Sequence, residues 1–540
     1  MLTARLLAFS ILLGGLRDPR LFAFAGAAAW GAIWLKRPPL GPAAYWLPWL
    51  AWALISALAS SQPLAGLPVL ARWSTVLACA SLAASWKPPE RAQWLRAFLI
   101  VAAGVAVAAL ATGAGHGWTN QMTGVLPPYS NYSAFVLTGA AAAAAAWILH
   151  PRGPKGQERT IAAAAIALYI LCLILGHSRG AWLGLGAAAT VWSTRRWGAR
   201  AAAAAAVAAV LSLGALAIGK LPAPLENVLF KKYRLNAEAR PRIWRAASAI
   251  ASAEPWLGTG PGNFAVGFRL RPVALENGAA RWSMSTDYAH SELLQAGAET
   301  GWAGLALWLL GALAALRALI SRADDDPVRE AAAIAATGLS AHLLVDNMLQ
   351  IPALAALWLS ALALSCAPTT GGRRWPKAAV LAGAALALVS WIPKSLADAN
   401  PARAAVLFPA DPSRREDLAY ASKLALEADA HWAQAQQLSP FNAIYPWRRG
   451  QIAGALGHWA AAESLSARAI EAEPGFMRAR LLRIEALSHL GRAREARAEL
   501  DAFLKADAGR GTAAALSGYD RTIWQFDKPE HDRAASLVGR

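Results

Sequence analysis

The chain has 540 residues, of which 56% are hydrophobic and only 16% charged, and its formal net charge is +19. Soluble proteins usually carry about a quarter charged residues, so this composition excludes a disordered chain, a small secreted protein and an ordinary cytosolic enzyme. The cysteines Cys79, Cys172 and Cys366 lie far apart in apolar stretches, which argues against a disulfide framework or a cysteine metal site. The positive charge suits lipid headgroups, and we find no zinc spacing, ribonucleoprotein motif or basic arm that would indicate nucleic acid.

Apolar segments long enough to cross a bilayer recur along most of the chain. They predict an all-α fold, a polytopic membrane bundle of about 12 or 13 spans. The first segment is short and either spans the membrane or lies in its interface. The predicted spans cover residues 4–16, 20–36, 41–60, 66–84, 94–113, 131–149, 159–175, 180–194, 198–218, 302–320, 329–348, 352–367 and 376–393.

Cations occur in alternate short loops between the predicted spans. Because Lys and Arg are retained in the cytoplasm, this set of loops is predicted to be cytoplasmic. The long loop 219–301 and the region 394–540 then lie on the other side of the membrane. Arg17 and Arg20 are exceptions to the alternation. The cytoplasmic set contains Lys36, Arg37, Lys87, Arg91, Arg96, Arg152, Lys155, Arg159, Arg195, Arg196, Arg200, Arg317, Arg322, Arg329, Arg373, Arg374 and Lys377.

The composition divides the chain into a membrane domain, 1–393, and a charged, Ala-rich C-terminal domain, 394–540. Within the second domain a pattern repeats every 34 residues, with a turn glycine, a small residue and a proline in register. This spacing resembles tetratricopeptide repeats, which usually bind protein partners; an ordinary helical bundle is the alternative. The matching pairs are Gly457 with Gly491, Ala462 with Ala496, and Pro440 with Pro474.

A first candidate site is the segment Gly-His-Ser-Arg-Gly at 176–180, in a predicted outward turn between two spans. A charge at such a boundary is costly to desolvate, which makes Arg179 a functional candidate. The alternative is that Arg179 only extends its guanidinium to lipid phosphates.

A second candidate is an arginine cluster in the long loop, followed by the glycine-rich segment 255–264. The guanidinium groups of Arg240 and Arg242 suit the oxygens of a pyrophosphate. The glycines would let backbone approach a ligand closely, although the Gly-Lys-Ser/Thr ending of a nucleotide loop is missing. A surface amphipathic helix attracted to anionic lipid is the alternative.

A third candidate is His290, which precedes a predicted span and can exchange protons near neutral pH. Glu292 either orients this histidine or is a solvated carboxylate in the first turn of a helix. A structural role for the histidine is the alternative.

Two further pairs of polar residues are also candidates for the site. His342 and Asp346 have an i, i+4 spacing that places them on one helix face, where they either contact substrate or bond neighbouring helices. Asn131 and Tyr132 lie in a predicted outer loop and either hydrogen-bond sugars or form a polar turn.

Taken together, these motifs resemble the O-antigen ligase and O-antigen polymerase superfamily of bacterial inner-membrane glycosyltransferases. The resemblance is best over 170–350 and lies in the order of the motifs: Ser-Arg-Gly, a long loop, Arg-x-x-x-Trp, Pro-Trp-Leu-Gly-Thr-Gly-Pro-Gly-Asn-Phe, His-Ser-Glu-Leu-Leu-Gln and Glu-Thr-Gly. Where the family often has His-Asn, this chain has Ser291 after the histidine.

The resemblance implies a metal-independent, cofactor-free active site that faces the periplasm. The donor would be a glycan on undecaprenyl pyrophosphate, and the acceptor a lipid A-core sugar in lipopolysaccharide biosynthesis. Arg179 and Arg240 would bind the pyrophosphate, while His290 would activate the acceptor hydroxyl or assist departure of the leaving group. Arg242, Asn131, Tyr132, Glu292, His342 and Asp346 are the predicted substrate-binding residues.

Other functions remain open at the level of the sequence. A polysaccharide polymerase or a protein O-oligosaccharyltransferase would use nearly the same donor site. A non-catalytic scaffold whose repeats bind partners is a different class. A transporter is disfavoured, because transporters usually place ionisable groups near the bilayer midplane.

Overall fold

The computed structural model describes most of the chain, and its described part is almost entirely helical. The predicted span 198–218 lies outside the described residues except at 198 and 200. One antiparallel pair of two-residue strands is present, β1 (Val273–Ala274) with β2 (Ser283–Met284). The all-α prediction is confirmed. The described residues are 2–115, 122–126, 130–176, 178–198, 200, 234–270, 273–274, 283–284, 286–320, 326–366, 372–390, 392, 422–507 and 528–538.

Twenty α-helices and two short 3₁₀ helices, Gly14–Leu16 and Gly41–Trp46, lie in these described ranges. The α-helices are α1 (Leu2–Phe9), α2 (Pro19–Lys36), α3 (Leu47–Ala59), α4 (Pro63–Ala84), α5 (Pro88–Gly115), α6 (Ser130–Leu149), α7 (Gly156–Gly176), α8 (Arg179–Trp197), α9 (Arg234–Ala253), α10 (Phe264–Arg269), α11 (Glu292–Ile320), α12 (Pro327–Leu343), α13 (Pro352–Ser365), α14 (Lys377–Val389), α15 (Ser422–Leu438), α16 (Ile444–Ala455), α17 (Trp459–Ala472), α18 (Met477–His489), α19 (Ala493–Asp507) and α20 (Lys528–Val538).

The chain forms two compact units. The first, here called the membrane unit, comprises Met1–Tyr233, Ala251–Gly262 and Ala289–Ser390; the second, the repeat unit, comprises Arg234–Ile250, Asn263–Tyr288 and Trp391–Arg540. Part of the predicted loop 219–301 therefore groups with the C-terminal region.

Six helices of the described chain are long and apolar enough to cross a membrane. The helices α13 and α14 are apolar but shorter. The predicted first span, 4–16, is not one continuous helix, because α1 ends at Phe9. The six helices are Gly41–Ala59, Pro63–Ala84, Pro88–Gly115, Asn131–Leu149, Gly156–Gly176 and Glu292–Arg317.

Ion pairs and a backbone bridge join the cation-rich loops of the membrane unit to one another. Leu40 N–H donates to the Arg373 carbonyl at 2.7 Å, which links two of these loops. Loops that alternate along the chain of a membrane bundle are expected to lie at the same end of it. The contacts among the cation-rich loops agree with this expectation. The ion pairs at this end include Arg91 with Asp326 at 3.0 Å, Arg96 with Glu158 at 2.8 Å and Arg195 with Glu330 at 2.5 Å.

The helices α8 and α12 pack closely because small residues line their crossing. A Cβ atom added to Gly184 would lie 2.6 Å from the Gly338 carbonyl oxygen, and Ala188 lies 3.4 Å from the position of a Cβ on Gly338. Small residues let membrane helices approach at backbone distance. This crossing fixes the start of α8 beside the end of α12, where the candidate site lies.

In the repeat unit, two turns 34 residues apart have the same geometry. Gly457 and Gly491 both take positive φ, 77° and 70°. In each turn the N–H after the glycine donates to a carbonyl five residues earlier, at 2.8 and 3.0 Å. Ala462 and Ala496 are buried where the following helices pack. The two turns that lie 34 residues apart in the sequence therefore have equivalent backbone geometry.

A half-buried cation lies on the repeat helices. The Arg448 guanidinium stands 4.6 Å from the centroid of the Trp447 ring and donates to Gln451 at 3.0 Å. Burial, with repulsion from Arg478, lowers the pKa of Arg448 to about 10. Arg448 thus stays protonated at neutral pH.

The segment 263–269, which contains α10, is joined to the repeat helices by a buried carboxylate. Arg269 lies at the end of α10, and its Nε is 3.9 Å from Oε2 of Glu473, which has no exposed surface. Arg269 also pairs with Asp287 at 3.4 Å. A buried carboxylate is costly without a cation nearby, so this contact ties the segment to the repeats.

Candidate functional site

Arg179 occupies the first position of α8, directly after its N-cap. The Ser178 hydroxyl oxygen accepts from Ala181 N–H at 3.4 Å. The first N–H groups of a helix have no partner within it and give its start a partial positive charge, which favours anions. The Arg179 side chain is exposed, so a ligand can reach it. Helix start and guanidinium together suit a phosphate.

The glycine that follows Arg179 makes room for a buried histidine. A Cβ atom on Gly180 would overlap the His342 ring. His342 has no exposed surface, and its ring stands 5.4 Å from that of Phe135 in an edge-to-face arrangement. This burial favours helix packing over direct contact with substrate for His342.

Asp346 connects this histidine to α6. The helix α12 ends at Leu343, so Asp346 lies in the following turn and not on the predicted helix face 329–348. The turn still brings Asp346 Oδ2 to 3.5 Å from His342 Nε2. Asn131 Nδ2 donates to both carboxylate oxygens, at 3.3 and 3.1 Å. Asn131 lies in the first turn of α6, not in the loop that the sequence suggested.

Two arginines that the sequence interpretation did not select lie near Tyr132. Gln350 Nε2 donates to the Tyr132 hydroxyl at 3.2 Å, and Arg72 Nη1 donates to the Gln350 carbonyl at 3.2 Å. Arg17 stands 5.8 Å from the Tyr132 ring centroid. Arg72 interrupts the predicted span 66–84, and a cation inside a span is a signal that would have identified it.

His290 lies immediately before α11 in an uncommon backbone conformation. Its φ is 51°, in the left-handed region that non-glycine residues seldom adopt. Such a conformation costs on the order of 1–3 kcal/mol and persists where the surroundings impose it. Its side chain is half-buried, so the imidazole is partly accessible to a ligand.

Glu292 is a buried carboxylate, which makes the solvated alternative wrong. Only 8% of the residue is exposed, and its Oε1 accepts from Leu349 N–H at 2.7 Å. The carboxylate therefore fastens the start of α11 to the turn 344–351.

The glycine-rich segment packs on protein backbone and does not form a ligand cradle at Gly258 or Gly262. A Cβ on Gly258, which has φ 64°, would lie 2.6 Å from the backbone nitrogen of Thr300, and one on Gly262 2.5 Å from the Ala65 carbonyl. Gly301, with φ 70°, breaks α11 at this contact. The apolar helix that could cross a membrane runs from Glu292 to Arg317 and so begins ten residues before the predicted span 302–320.

The helix α3 also binds to the contact between the glycine-rich segment and the kink of α11. Trp52 Nε1 donates to the carbonyls of Trp256 and Thr300, both at 3.1 Å. The Ser56 hydroxyl donates to the Leu257 carbonyl at 2.5 Å. The segment 255–258 is thus held between α3 and the kink of α11. These contacts stabilise the first part of α11, before the kink.

Arg240 and Arg242 lie on α9 in the repeat unit. Both are half-buried, on either side of the exposed Pro241, and Ile243 and Ile250 belong to the buried face of the helix. Arg179 and His290 lie in the membrane unit. The joint action of Arg240 with Arg179 stays a prediction.

A comparison with known families gives one result. Residues 164–309 match a family model described as O-antigen ligase. A comparison with curated proteins finds no match. The family match supports a membrane glycosyltransferase of the O-antigen ligase and polymerase type. The matched region contains Arg179, Arg240, Arg242, His290 and Glu292, whereas Asn131, Tyr132, His342 and Asp346 lie outside it.

Arg179 and His290 in the membrane unit are of residue types that can bind phosphate and transfer protons. An exposed guanidinium binds phosphate oxygens at two points, and an accessible imidazole exchanges protons near neutral pH. Within the described ranges, no group of three or more His, Cys, Asp and Glu side chains is arranged to hold a metal ion.

Proposed function

We propose that the protein is a ligase that transfers a glycan from undecaprenyl pyrophosphate to a lipid A-core sugar. The observation that carries the proposal is that the matched region, 164–309, contains both the Arg179 helix start and the constrained His290. These two features supply phosphate recognition and proton transfer, which this reaction requires.

In the proposed reaction, a hydroxyl oxygen of the acceptor forms a bond to the anomeric carbon of the donor sugar. The bond from that carbon to the phosphate oxygen breaks, and undecaprenyl pyrophosphate leaves with the electron pair. His290 either accepts the hydroxyl proton or, when protonated, stabilises the departing oxygen; in the second case the hydroxyl proton passes to water. Arg179 and Arg240 stabilise the charge of the leaving group.

The reaction is proposed to need neither metal nor cofactor. A pyrophosphate leaving group already carries negative charge, so guanidinium groups can provide the electrostatic stabilisation that a metal ion provides in other phosphate sites. Holding donor and acceptor at one membrane surface supplies much of the remaining rate advantage.

The proposed location is the bacterial inner membrane, with the site and the repeat unit on the periplasmic side. The alternation of loop cations supports this orientation, as does the mutual contact of the cation-rich loops at one end of the membrane unit.

For the repeat unit we propose tetratricopeptide-like repeats that bind a protein partner. The equivalent turns at Gly457 and Gly491 support the assignment, since stacked helical pairs usually present a binding surface. If the protein were only a scaffold, deletion of 396–540 would abolish its function while Arg179, Arg240 and His290 would tolerate substitution.

The glycans of a deletion strain test the proposed acceptor. Mass spectrometry should find polymer that is complete but not attached to lipid A-core. Surface chains limited to one repeat would indicate a polymerase instead, and loss of glycan from a protein would indicate a protein O-oligosaccharyltransferase. Unchanged surface glycans would contradict all three.

A further inference from the structure

The backbone around His290 is held from both sides by side chains that the proposed reaction does not use. Ala289 N–H donates to Gln295 Oε1 at 2.7 Å, and Ser291 N–H donates to Asn347 Oδ1 at 3.0 Å. Ala289, Ser291 and Asn347 are all buried. Losing either acceptor would therefore leave a buried N–H without a partner.

These two hydrogen bonds hold the backbone on both sides of His290, whose φ is 51°. The Ser291 N–H belongs to the peptide plane that directly follows the His290 Cα, so Asn347 fixes that plane. Gln295 fixes the residue before the histidine. A left-handed conformation in a non-glycine residue persists only where its neighbours impose it.

The two holding side chains are themselves fixed. Gln295 Nε2 donates to Glu299 Oε1 at 2.8 Å, one turn further along α11. Asn347 lies in the turn 344–351, which the bond from Leu349 N–H to Glu292 at 2.7 Å ties to the start of α11. The constraint thus comes from two elements, a helix and a separate turn.

We infer that Gln295 and Asn347 are positioning residues, which hold the His290 backbone so that its imidazole meets the reacting oxygen. The inference rests on the proposed transfer reaction. Catalytic groups act efficiently only when their geometry is held closely, and a displacement of about 1 Å can cost on the order of 10²-fold in rate. Neither residue needs to contact substrate for this effect.

The first test is steady-state transfer by full-length protein in detergent, with Asn347→Leu and Gln295→Met. Both changes keep side-chain size and remove the acceptor. We expect kcat to fall roughly ten- to a hundredfold, with the KM for donor changed by less than about twofold, because binding is not altered. Thr337→Val is the matched control: it removes a buried hydrogen bond to the Ala333 carbonyl within α12 and should keep kcat within about twofold. Normal kcat in both acceptor variants would overturn the inference.

The second test repeats both changes in a His290→Ala protein. If Gln295 and Asn347 act through the imidazole, they should cause no further loss there. An equal fold loss in both backgrounds would assign them a purely structural role and overturn the inference. Should Asn347→Leu fail to fold, Gln295→Met decides the question. Parental turnover by His290→Ala alone would instead contradict the proposed function.

Discussion

At the scale of single residues, the proposed binding of pyrophosphate depends on guanidinium groups and not on positive charge alone. Arg179 is exposed at the start of α8, and Arg240 lies half-buried on α9. A guanidinium is planar and meets two phosphate oxygens at once, whereas a lysine ammonium is a point charge.

Arg179→Lys and Arg240→Lys should therefore each reduce glycan transfer strongly, by on the order of tenfold or more. Transfer is measured with purified protein and lipid-linked donor. Arg196→Lys is the control, because Arg196 lies exposed at the other end of α8, and it should transfer at the parental rate. Near-normal transfer by both site variants would contradict pyrophosphate binding.

The residue types at the site were predictable, but their partners were not. His290 and Arg179 stand out because charged or titratable groups beside apolar spans are costly. The acceptor for Ser291 N–H, Asn347, is 56 residues further along the chain, and no local pattern links the two. Arg72 gave a local signal, as a lone cation in a predicted span, whereas the role of Gln350 depends on tertiary contacts.

At the scale of the elements, glycine sets how closely the helices at the site approach. Gly180 lets the start of α8 pack on the His342 ring, and Gly186 in the same helix has nothing within 4 Å of an added Cβ. The two positions therefore form a matched pair for one substitution.

Gly180→Ala should destabilise the protein by about 1–3 kcal/mol, because the added methyl group overlaps His342. Gly186→Ala should be neutral or stabilise by up to about 1 kcal/mol, since alanine favours helix. Thermal unfolding in detergent measures both. Combining Gly180→Ala with His342→Ala should cost less than the sum of the single changes; equal unfolding of both glycine variants would contradict the contact.

Sequence patterns predicted the helices well, but they did not predict what the glycine-rich turns contact. Hydrophobic runs located most membrane helices because an apolar segment in lipid has to satisfy its backbone groups within itself. The glycines of 255–262 suggested close approach to a ligand, but Gly258 and Gly262 approach backbone instead. The sequence indicates that backbone comes close at a glycine and does not identify what it meets.

At the scale of the whole molecule, the chain divides into the membrane unit and the repeat unit. The loop cations predict that the site and the repeat unit lie on the side opposite the cation-rich loops. One orientation of the chain therefore predicts the side of the membrane on which every loop lies.

Single cysteines test this orientation, in a chain whose Cys79, Cys172 and Cys366 are replaced by alanine. Ser252→Cys and Ser464→Cys are exposed and should react with an impermeant maleimide in cells whose outer membrane alone is permeabilised. Gln157→Cys, exposed in a predicted cytoplasmic loop, should react only after lysis. The reverse pattern would contradict the topology.

The proposed reaction of this membrane protein is the metal-independent transfer of a lipid-linked glycan, centred on His290. The most direct measurement is in vitro transfer by purified protein in detergent, with undecaprenyl-pyrophosphate-linked glycan, lipid A-core acceptor and a chelator. The parental protein should turn over, and His290→Ala should remain folded and bind donor but lose on the order of 10²–10⁴-fold in rate. Turnover by His290→Ala near the parental rate, or none by the parental protein in chelator, would contradict the account.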